Sequence, residues 1–106
     1  MSTPSKWRQV ATLGEIPSGK MLQVTVDEHD LLLANTGEHL FATDDLCSHE
    51  DASLSSGALH GEFVTCPLHG SRFCLRTGAA QEEPAEEPLR CYPVRVVGEA
   101  IEVDFA

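Results

Sequence analysis

The chain has 106 residues, enough for one small domain around a single core but too few for two domains. Hydrophobic residues make up 42% and charged residues 23%, which is typical of a folded chain and not of a disordered one. The 7 basic and 17 acidic residues give a formal net charge of −10, which disfavours nucleic acid and anionic membranes as partners. No apolar run is long enough to span a bilayer, and residues 1–9 lack the apolar stretch of a secretory signal, so we expect a cytoplasmic protein.

Short extended segments dominate the first part of the chain. Residues 7–11 form the first of several short apolar or alternating segments, and apolar residues alternate with polar ones over 22–26, which predicts a half-buried strand. A continuous apolar run at 31–34 is followed by the turn residues Asn35-Thr36-Gly37, after which residues 39–43 resume an extended pattern. These segments predict a β-hairpin.

The middle of the chain alternates between loops and short strands. Residues 44–57 are polar and loop-like, residues 63–65 predict a strand, residues 66–71 predict another loop, and residues 73–76 predict a return to strand. Each of the two loops contains one cysteine and one histidine of a candidate metal site.

The last part of the chain predicts a closing hairpin. The acidic stretch 81–88 contains Pro84 and Pro88, so it cannot be a central strand or a good helix. Residues 92–97 and 100–105 are strand-like and flank a Gly98-Glu99 turn.

The strand pattern predicts an all-β fold. Several short strands, frequent turns and no long segment with a helical period indicate an antiparallel β-sandwich or barrel. We expect one domain over 1–106, with a small lobe at about 45–78 on a β base formed by about 1–44 and 79–106.

Two short motifs carry the chemistry of the chain. They are Cys47-Ser48-His49 and Cys66-Pro67-Leu68-His69, and 16 residues separate His49 from Cys66. Two thiolates and two imidazoles suit either a tetrahedral zinc ion or a two-iron cluster. A single metal needs all four ligands around one point, whereas a cluster needs two ligands at each end, and the spacing alone leaves both possibilities open.

The two motifs at this spacing resemble the signature of the Rieske family. Further residues agree with the family pattern: Gly70-Ser71-Arg72-Phe73, Arg76-Thr77-Gly78, Pro84-Ala85 and Pro88-Leu89. The resemblance implies a Rieske-like antiparallel β-sandwich base with a small cluster-binding lobe, formed by two ligand loops around one [2Fe–2S] cluster. It also implies that Cys47 and Cys66 ligate one iron and that His49 and His69 ligate the other.

The chain is most similar to the small Rieske-type ferredoxins of bacterial aromatic-ring-hydroxylating dioxygenase systems. That resemblance implies a soluble, monomeric one-electron carrier with no catalytic residues, which is not itself an enzyme. Its expected partners are an NAD(P)H-dependent ferredoxin reductase, which supplies electrons, and a terminal oxygenase, which receives them. The aromatic substrate of the system and the identity of both partners stay open.

Departures from the high-potential members of the family predict a low reduction potential. Ala52 and Leu68 stand where those members have a disulfide, and Phe73 stands where they have a tyrosine that donates to sulfur. Ser71 matches the family's hydroxyl near a bridging sulfide. Fewer donors to sulfur and an acidic surface both disfavour reduction, so we expect a potential near the low end of about −150 to +300 mV.

Two remaining cysteines and two acidic clusters have less specific interpretations. We interpret Cys74 and Cys91 as reduced thiols packed in β structure, although adjoining strands would also permit a disulfide. The acidic clusters are either a solvated face or groups that steer docking onto basic partners. Their members are Asp44, Asp45, Glu50, Asp51, Glu82, Glu83, Glu86 and Glu87.

Two other functional classes fit the same motifs. One is a structural zinc module that acts by binding another protein, with Cys47, His49, Cys66 and His69 as its ligands. The other is the Rieske-like small subunit of an assimilatory nitrite reductase, which would co-purify with a large partner.

Overall fold

The computed structural model describes residues 6–26, 28–45, 53–67, 70–81 and 88–105. Over these residues the chain is all-β, as predicted, with ten antiparallel strands and two one-turn 3-10 helices at Leu13–Glu15 and Leu54–Ser56. The strands are β1 (Trp7–Thr12), β2 (Lys20–Val26), β3 (His29–Asn35), β4 (Leu40–Asp44), β5 (Ala58–His60), β6 (Phe63–Thr65), β7 (Arg72–Cys74), β8 (Cys91–Tyr92), β9 (Val94–Val97) and β10 (Ala100–Asp104). None of the described helices is long or apolar enough to cross a membrane.

The described strands form three sheets. Their strand orders are β1-β10-β9, β2-β3-β4-β8 and β5-β6-β7. The first two sheets share one buried cluster, which we name the sandwich core, and this packing confirms the predicted β-sandwich. The members of the sandwich core are Ala11, Ile16, Leu31, Leu33, Ala42, Tyr92, Ile101 and Val103.

The third sheet packs against the other face of the second sheet. A second buried cluster, which we name the lobe core, lies between these sheets and contains Leu32, Ala34, Leu54, Val64, Cys66, Phe73, Leu75 and Leu89. The third sheet falls within the stretch 45–78 that the sequence predicts as a separate lobe. The boundaries of that lobe stay a prediction.

Strand β3 separates the two cores. Leu31, Leu32, Leu33 and Ala34 are all 0% exposed. Because successive side chains of a strand point to opposite faces, Leu31 and Leu33 enter the sandwich core while Leu32 and Ala34 enter the lobe core. Burial on both faces explains why the sequence shows a continuous apolar run here and no alternation.

Most predicted strands are present, with local differences. The hairpin of β3 and β4 and the strand 63–65 are confirmed. The strand predicted at 73–76 ends at Cys74, because the Gly78 N–H donates to the Cys74 carbonyl at 2.6 Å and closes a turn. The strand predicted at 92–97 is divided at Pro93, where β8 pairs with β4 and β9 pairs with β10.

Arginine side chains cover several of the partly buried aromatic rings. The guanidinium carbon of Arg95 lies 4.2 Å from the ring centroid of Trp7, and that of Arg90 lies 4.7 Å from the centroid of Tyr92. The other two pairs are Arg76 over Phe41 at 5.3 Å and Arg72 over Phe63 at 5.8 Å. These contacts agree with a packing role for the aromatic residues.

Candidate metal centre

The second ligand segment begins at Cys66, directly after β6. Cys66 is 1% exposed, and its N–H donates to the Ser71 carbonyl at 2.8 Å while its carbonyl accepts from the Gly70 N–H at 3.0 Å. Gly70 has a φ of +72°, a left-handed conformation that glycine adopts without strain. These two bonds hold Cys66 against Gly70 and Ser71, and the predicted ligand His69 itself lies outside the described residues.

Ser71 gives the clearest structural sign of a bound group beside Cys66. Its side chain is 2% exposed, and its Oγ is buried with no hydrogen-bond partner among the described residues. Buried hydroxyls in folded proteins are nearly always hydrogen-bonded, so this hydroxyl is available to donate to something held in the site. A buried thiol next to an unsatisfied hydroxyl fits a cluster that contains sulfide.

The first ligand segment begins directly after Asp45, and the residues that follow the segment contact Asp45 again. The predicted ligands Cys47 and His49 belong to residues 46–52, which lie outside the described ranges. At the far end of this segment, Ser53 Oγ donates to Asp45 Oδ2 at 2.5 Å and the Ser55 N–H donates to Asp45 Oδ1 at 2.9 Å. The two ends of the segment are therefore held against each other.

Asp45 is not part of an acidic docking surface. Its side chain is 0% exposed, so the interpretation of this residue as a steering carboxylate is wrong. The neighbouring Asp44 is also hydrogen-bonded. Its Oδ1 accepts from the Tyr92 hydroxyl at 2.6 Å and lies 3.0 Å from His29 Nε2. Burial raises the pKa of Tyr92 well above its ordinary value, and the bond to Asp44 adds to the shift.

A close backbone contact brings the two ligand segments together. A Cβ added to Gly57, just beyond the first segment, would lie 1.8 Å from the Thr65 carbonyl oxygen, next to Cys66. Leu54 and Cys66 also belong to the same lobe core. The described ends of the two segments are therefore neighbours, as two loops that share a cluster require.

A third segment is fixed to the chain that follows Cys66. The Gln81 N–H donates to the Arg72 carbonyl at 2.8 Å, and the Leu89 N–H donates to the Gly78 carbonyl at 2.7 Å. These bonds fix both ends of the proline-bearing stretch 82–87, which lies outside the described residues.

All three cysteines in the described part of the chain, Cys66, Cys74 and Cys91, are free thiols. This agrees with the interpretation of Cys74 and Cys91 as reduced, and their strands belong to different sheets. Partial burial acts to raise the pKa of Cys74, but hydrogen bonds from the Thr77 hydroxyl and the backbone N–H groups of Thr77 and Arg76 outweigh it and lower the pKa. Burial and the nearby Cys74 and Asp44 raise the pKa of Cys91.

Of the four predicted ligands, Cys66 alone lies within the described residues. Within those ranges, no three His, Cys, Asp or Glu side chains converge on a metal position. The ligand set Cys47, His49, Cys66 and His69 therefore stays a prediction, supported by the anchoring of the segments that contain these residues.

Comparison with known proteins identifies the class. A family model of the Rieske [2Fe-2S] domain matches residues 6–93. The biphenyl dioxygenase ferredoxin subunit of Pseudomonas sp. (strain KKS102) is 40% identical over 99 residues, which cover 92% of this chain and 91% of that protein. The chain therefore belongs to the Rieske [2Fe–2S] family and carries one [2Fe–2S] cluster, so the structural-zinc alternative is wrong.

Solved structures narrow the class further. The ferredoxin of carbazole 1,9a-dioxygenase from Nocardioides aromaticivorans IC177 is 38% identical with a TM-score of 0.87, covering 93% of this chain and 97% of that one. A chain in the complex of reduced oxygenase and oxidized ferredoxin in carbazole 1,9a-dioxygenase is 32% identical with a TM-score of 0.86, covering 92% of each. The protein is a ferredoxin of the kind found in aromatic-ring dioxygenase systems, an electron carrier and not the oxygenating enzyme.

Proposed function

We propose that this protein carries single electrons from an NAD(P)H-dependent ferredoxin reductase to a terminal ring-hydroxylating oxygenase. The observation that carries the proposal is the unsatisfied buried hydroxyl of Ser71 beside the buried thiol of Cys66, within a chain that matches the Rieske ferredoxins. The cluster, when bound, supplies one-electron redox chemistry. Oxygenase turnover that needs two electrons would require two docking events, so we expect weak and rapid binding by a cytoplasmic monomer.

We assign the cluster ligands as Cys47 and Cys66 on one iron and His49 and His69 on the other. Anionic thiolates stabilise ferric iron more than neutral imidazoles do, so the iron held by His49 and His69 would be the one that accepts the electron. The imidazole edges of His49 and His69 would then be the entrance and exit of the electron.

An oxygenase partner is supported by a similar ferredoxin and by charge. A ferredoxin chain of the same fold, 32% identical, is found in a complex with the oxygenase of carbazole 1,9a-dioxygenase. The net charge of −10 favours a partner with a basic docking patch. Asp45 and the bonded Asp44 contribute little to such a surface, so the steering carboxylates we propose are Glu50, Asp51 and those at 82–87.

The surroundings of Cys66 support a low potential. Phe73, on β7 behind the Cys66 loop, is 0% exposed and has no hydroxyl to donate to sulfur. Ser71 provides a hydroxyl, so the site retains one of the two side-chain donors found in high-potential members. We expect a midpoint potential below zero, and a value well above zero would contradict this part of the proposal.

Spectroscopy of the purified protein tests the cluster and its ligands. We expect a brown protein that bleaches with dithionite and then gives the EPR signal of a reduced cluster with mixed Cys and His ligation. Cys47→Ser and Cys66→Ser should abolish the signal, whereas the matched controls Cys74→Ser and Cys91→Ser should retain it. Loss of the signal in a control, or its retention in a ligand variant, would overturn the assignment.

Reconstitution tests the place of the protein in electron transfer. The protein should couple NAD(P)H oxidation by a dioxygenase-system reductase to product formation by a terminal oxygenase, and the rate should fall as salt rises. A rate that does not change with salt would remove the steering role of the carboxylates. Co-purification with a large nitrite reductase subunit would instead favour that alternative.

A further inference from the structure

We propose that Asp45 is a positioning residue that holds the first ligand segment in the conformation that binds the cluster. The inference rests on the proposed assignment of Cys47 and His49 as ligands. Asp45 itself is not a ligand in this proposal. It acts through hydrogen bonds to the residues that follow the segment.

The bonds accepted by Asp45 connect it to two separate parts of the chain, strand β2 and residues 53–55. Its Oδ2 accepts from Gln23 Nε2 on β2 at 2.7 Å and from Ser53 Oγ at 2.5 Å. Its Oδ1 accepts from the Ser55 N–H at 2.9 Å, and its carbonyl accepts from the Leu54 N–H at 2.7 Å. A side chain that is 0% exposed and bonded at both oxygens has one defined orientation.

These bonds lie at both ends of the segment that contains two ligands. Asp45 precedes Cys47 by two residues, so their Cα atoms are at most about 7 Å apart. Ser53 follows His49 by four residues, and the bonds to Ser53, Leu54 and Ser55 fix the return of the chain. Closing a loop at its base removes most of the conformations that its ends would otherwise sample.

The choice of a buried carboxylate supports a positioning role over simple packing. An apolar side chain of similar size would fill the same space without the desolvation of a polar group. It could not accept from Gln23, Ser53 and the Ser55 N–H at once, so the hydrogen bonds that connect this position to β2 and to residues 53–55 would be lost. Groups that orient metal ligands in this way typically change metal retention by about 10–100-fold when they are removed.

Three variants of the holoprotein test the proposal: Asp45→Asn, Asp45→Ala and Ser53→Ala. We expect Asp45→Ala to release its iron to a chelator at least about tenfold faster than the unaltered protein. Asp45→Asn keeps the shape of the side chain and one acceptor oxygen, so it should release iron more slowly than Asp45→Ala. Ser53→Ala removes only one hydrogen-bond donor to Asp45, so this variant still tests the proposal if Asp45→Ala does not fold. The g values of the reduced cluster should shift in Asp45→Asn and Ser53→Ala, because the ligands move.

Two controls separate positioning from general destabilisation. Thr25→Ala removes a hydroxyl–carboxylate bond between β2 and β3, from Thr25 Oγ1 to Asp30 Oδ1 at 2.7 Å, and should leave iron release unchanged. Val103→Ala weakens the sandwich core and should lower the melting temperature without shifting the g values. Unshifted g values in both Asp45→Asn and Ser53→Ala, with the normal release rate, would overturn the inference. If the unaltered protein lacks the Rieske signal, the proposed function fails instead.

Discussion

Gly57 and Thr65 are in direct backbone contact, and this contact joins the two ligand segments. A Cβ at position 57 would lie 1.8 Å from the Thr65 carbonyl oxygen and 3.2 Å from that of Leu54. Both obstacles are backbone atoms, so neither can rotate away. Glycine is required here by the close approach of the chain, and its φ of −85° is one that other residues also adopt.

We expect Gly57→Ala to destabilise the holoprotein by about 2–3 kcal/mol, because the new methyl group must push the two segments apart. The yield of bound cluster should fall with it. Gly14→Ala is the matched control, because a Cβ at that position would meet nothing within 4 Å and should change stability by less than about 0.5 kcal/mol. Chemical denaturation and iron content of both variants provide the measurement. A Gly57→Ala protein as stable as Gly14→Ala would contradict the contact.

Removal of the Ser71 hydroxyl should lower the reduction potential. A donor to sulfide stabilises the extra negative charge of the reduced cluster, so its loss favours the oxidised form. A differential of about 1 kcal/mol corresponds to about 40 mV for a one-electron couple. Because Ser71 Oγ has no partner among the described residues, Ser71→Ala breaks no hydrogen bond within the described part of the chain. Ser56→Ala removes a hydroxyl from an exposed residue, and voltammetry should find no shift for it.

The two remaining thiols should differ in reactivity. Hydrogen bonds from Thr77 and the Arg76 backbone lower the pKa of Cys74, whereas burial raises the pKa of Cys91. Thiolate is the reactive form, so iodoacetamide should label Cys74 faster than Cys91 near neutral pH. Peptide mass spectrometry measures both rates in the holoprotein. Thr77→Val removes the hydroxyl donor and should slow the labelling of Cys74, and equal rates for the two thiols would contradict the prediction.

Tyr92 should contribute stability that disappears at high pH. Its folded pKa is raised above the ordinary value of 10.0, so the contribution is fully present below about pH 10 and is lost as the pH rises through the folded pKa. Tyr92→Phe removes the hydroxyl bond to Asp44 and should cost about 1 kcal/mol near neutral pH. The difference in the free energy of unfolding between the unaltered protein and Tyr92→Phe, measured by denaturant titration, should shrink above about pH 10. Tyr92 is the only tyrosine in the chain, so no other phenol contributes. A difference in unfolding free energy that widens as the pH rises would contradict the raised pKa of Tyr92.

Local pattern was sufficient to predict most of the fold. The alternation of apolar and polar residues in β2 and the continuous apolar run in β3 reflect which faces of each strand are buried. Both patterns are visible in the sequence itself. Strand β5 was not predicted, because Ala58, Leu59 and His60 carry no clear alternation and pair only through β6. Such a strand is determined by its partner more than by its own residues.

The sequence proposes the ligands of the candidate site, which stay a prediction, but it did not indicate the residues that support the ligand segments. Metal ligands have a fixed spacing that is visible in one chain, so the four Cys and His positions could be named from the sequence. Asp45 looked like a surface charge, because an acidic residue beside a polar loop is usually exposed. Its burial depends on two hydrogen-bond donors, the side chain of Gln23, which is distant in the sequence, and the backbone N–H of Ser55. The signal that could have identified it is the pair of serines, Ser53 and Ser55, at the far end of the ligand segment.

Strand β3 has a thermodynamic consequence for the whole molecule. Its four central side chains are divided between the sandwich core and the lobe core, so unfolding of this strand disrupts both cores at once. A ligand that binds only the native form adds its binding free energy to the stability of everything that unfolds with the site. The cluster should therefore also stabilise the sandwich core, to which Cys66, the one described ligand, does not belong, and amide hydrogens of β3 should become the slowest to exchange when the cluster is bound.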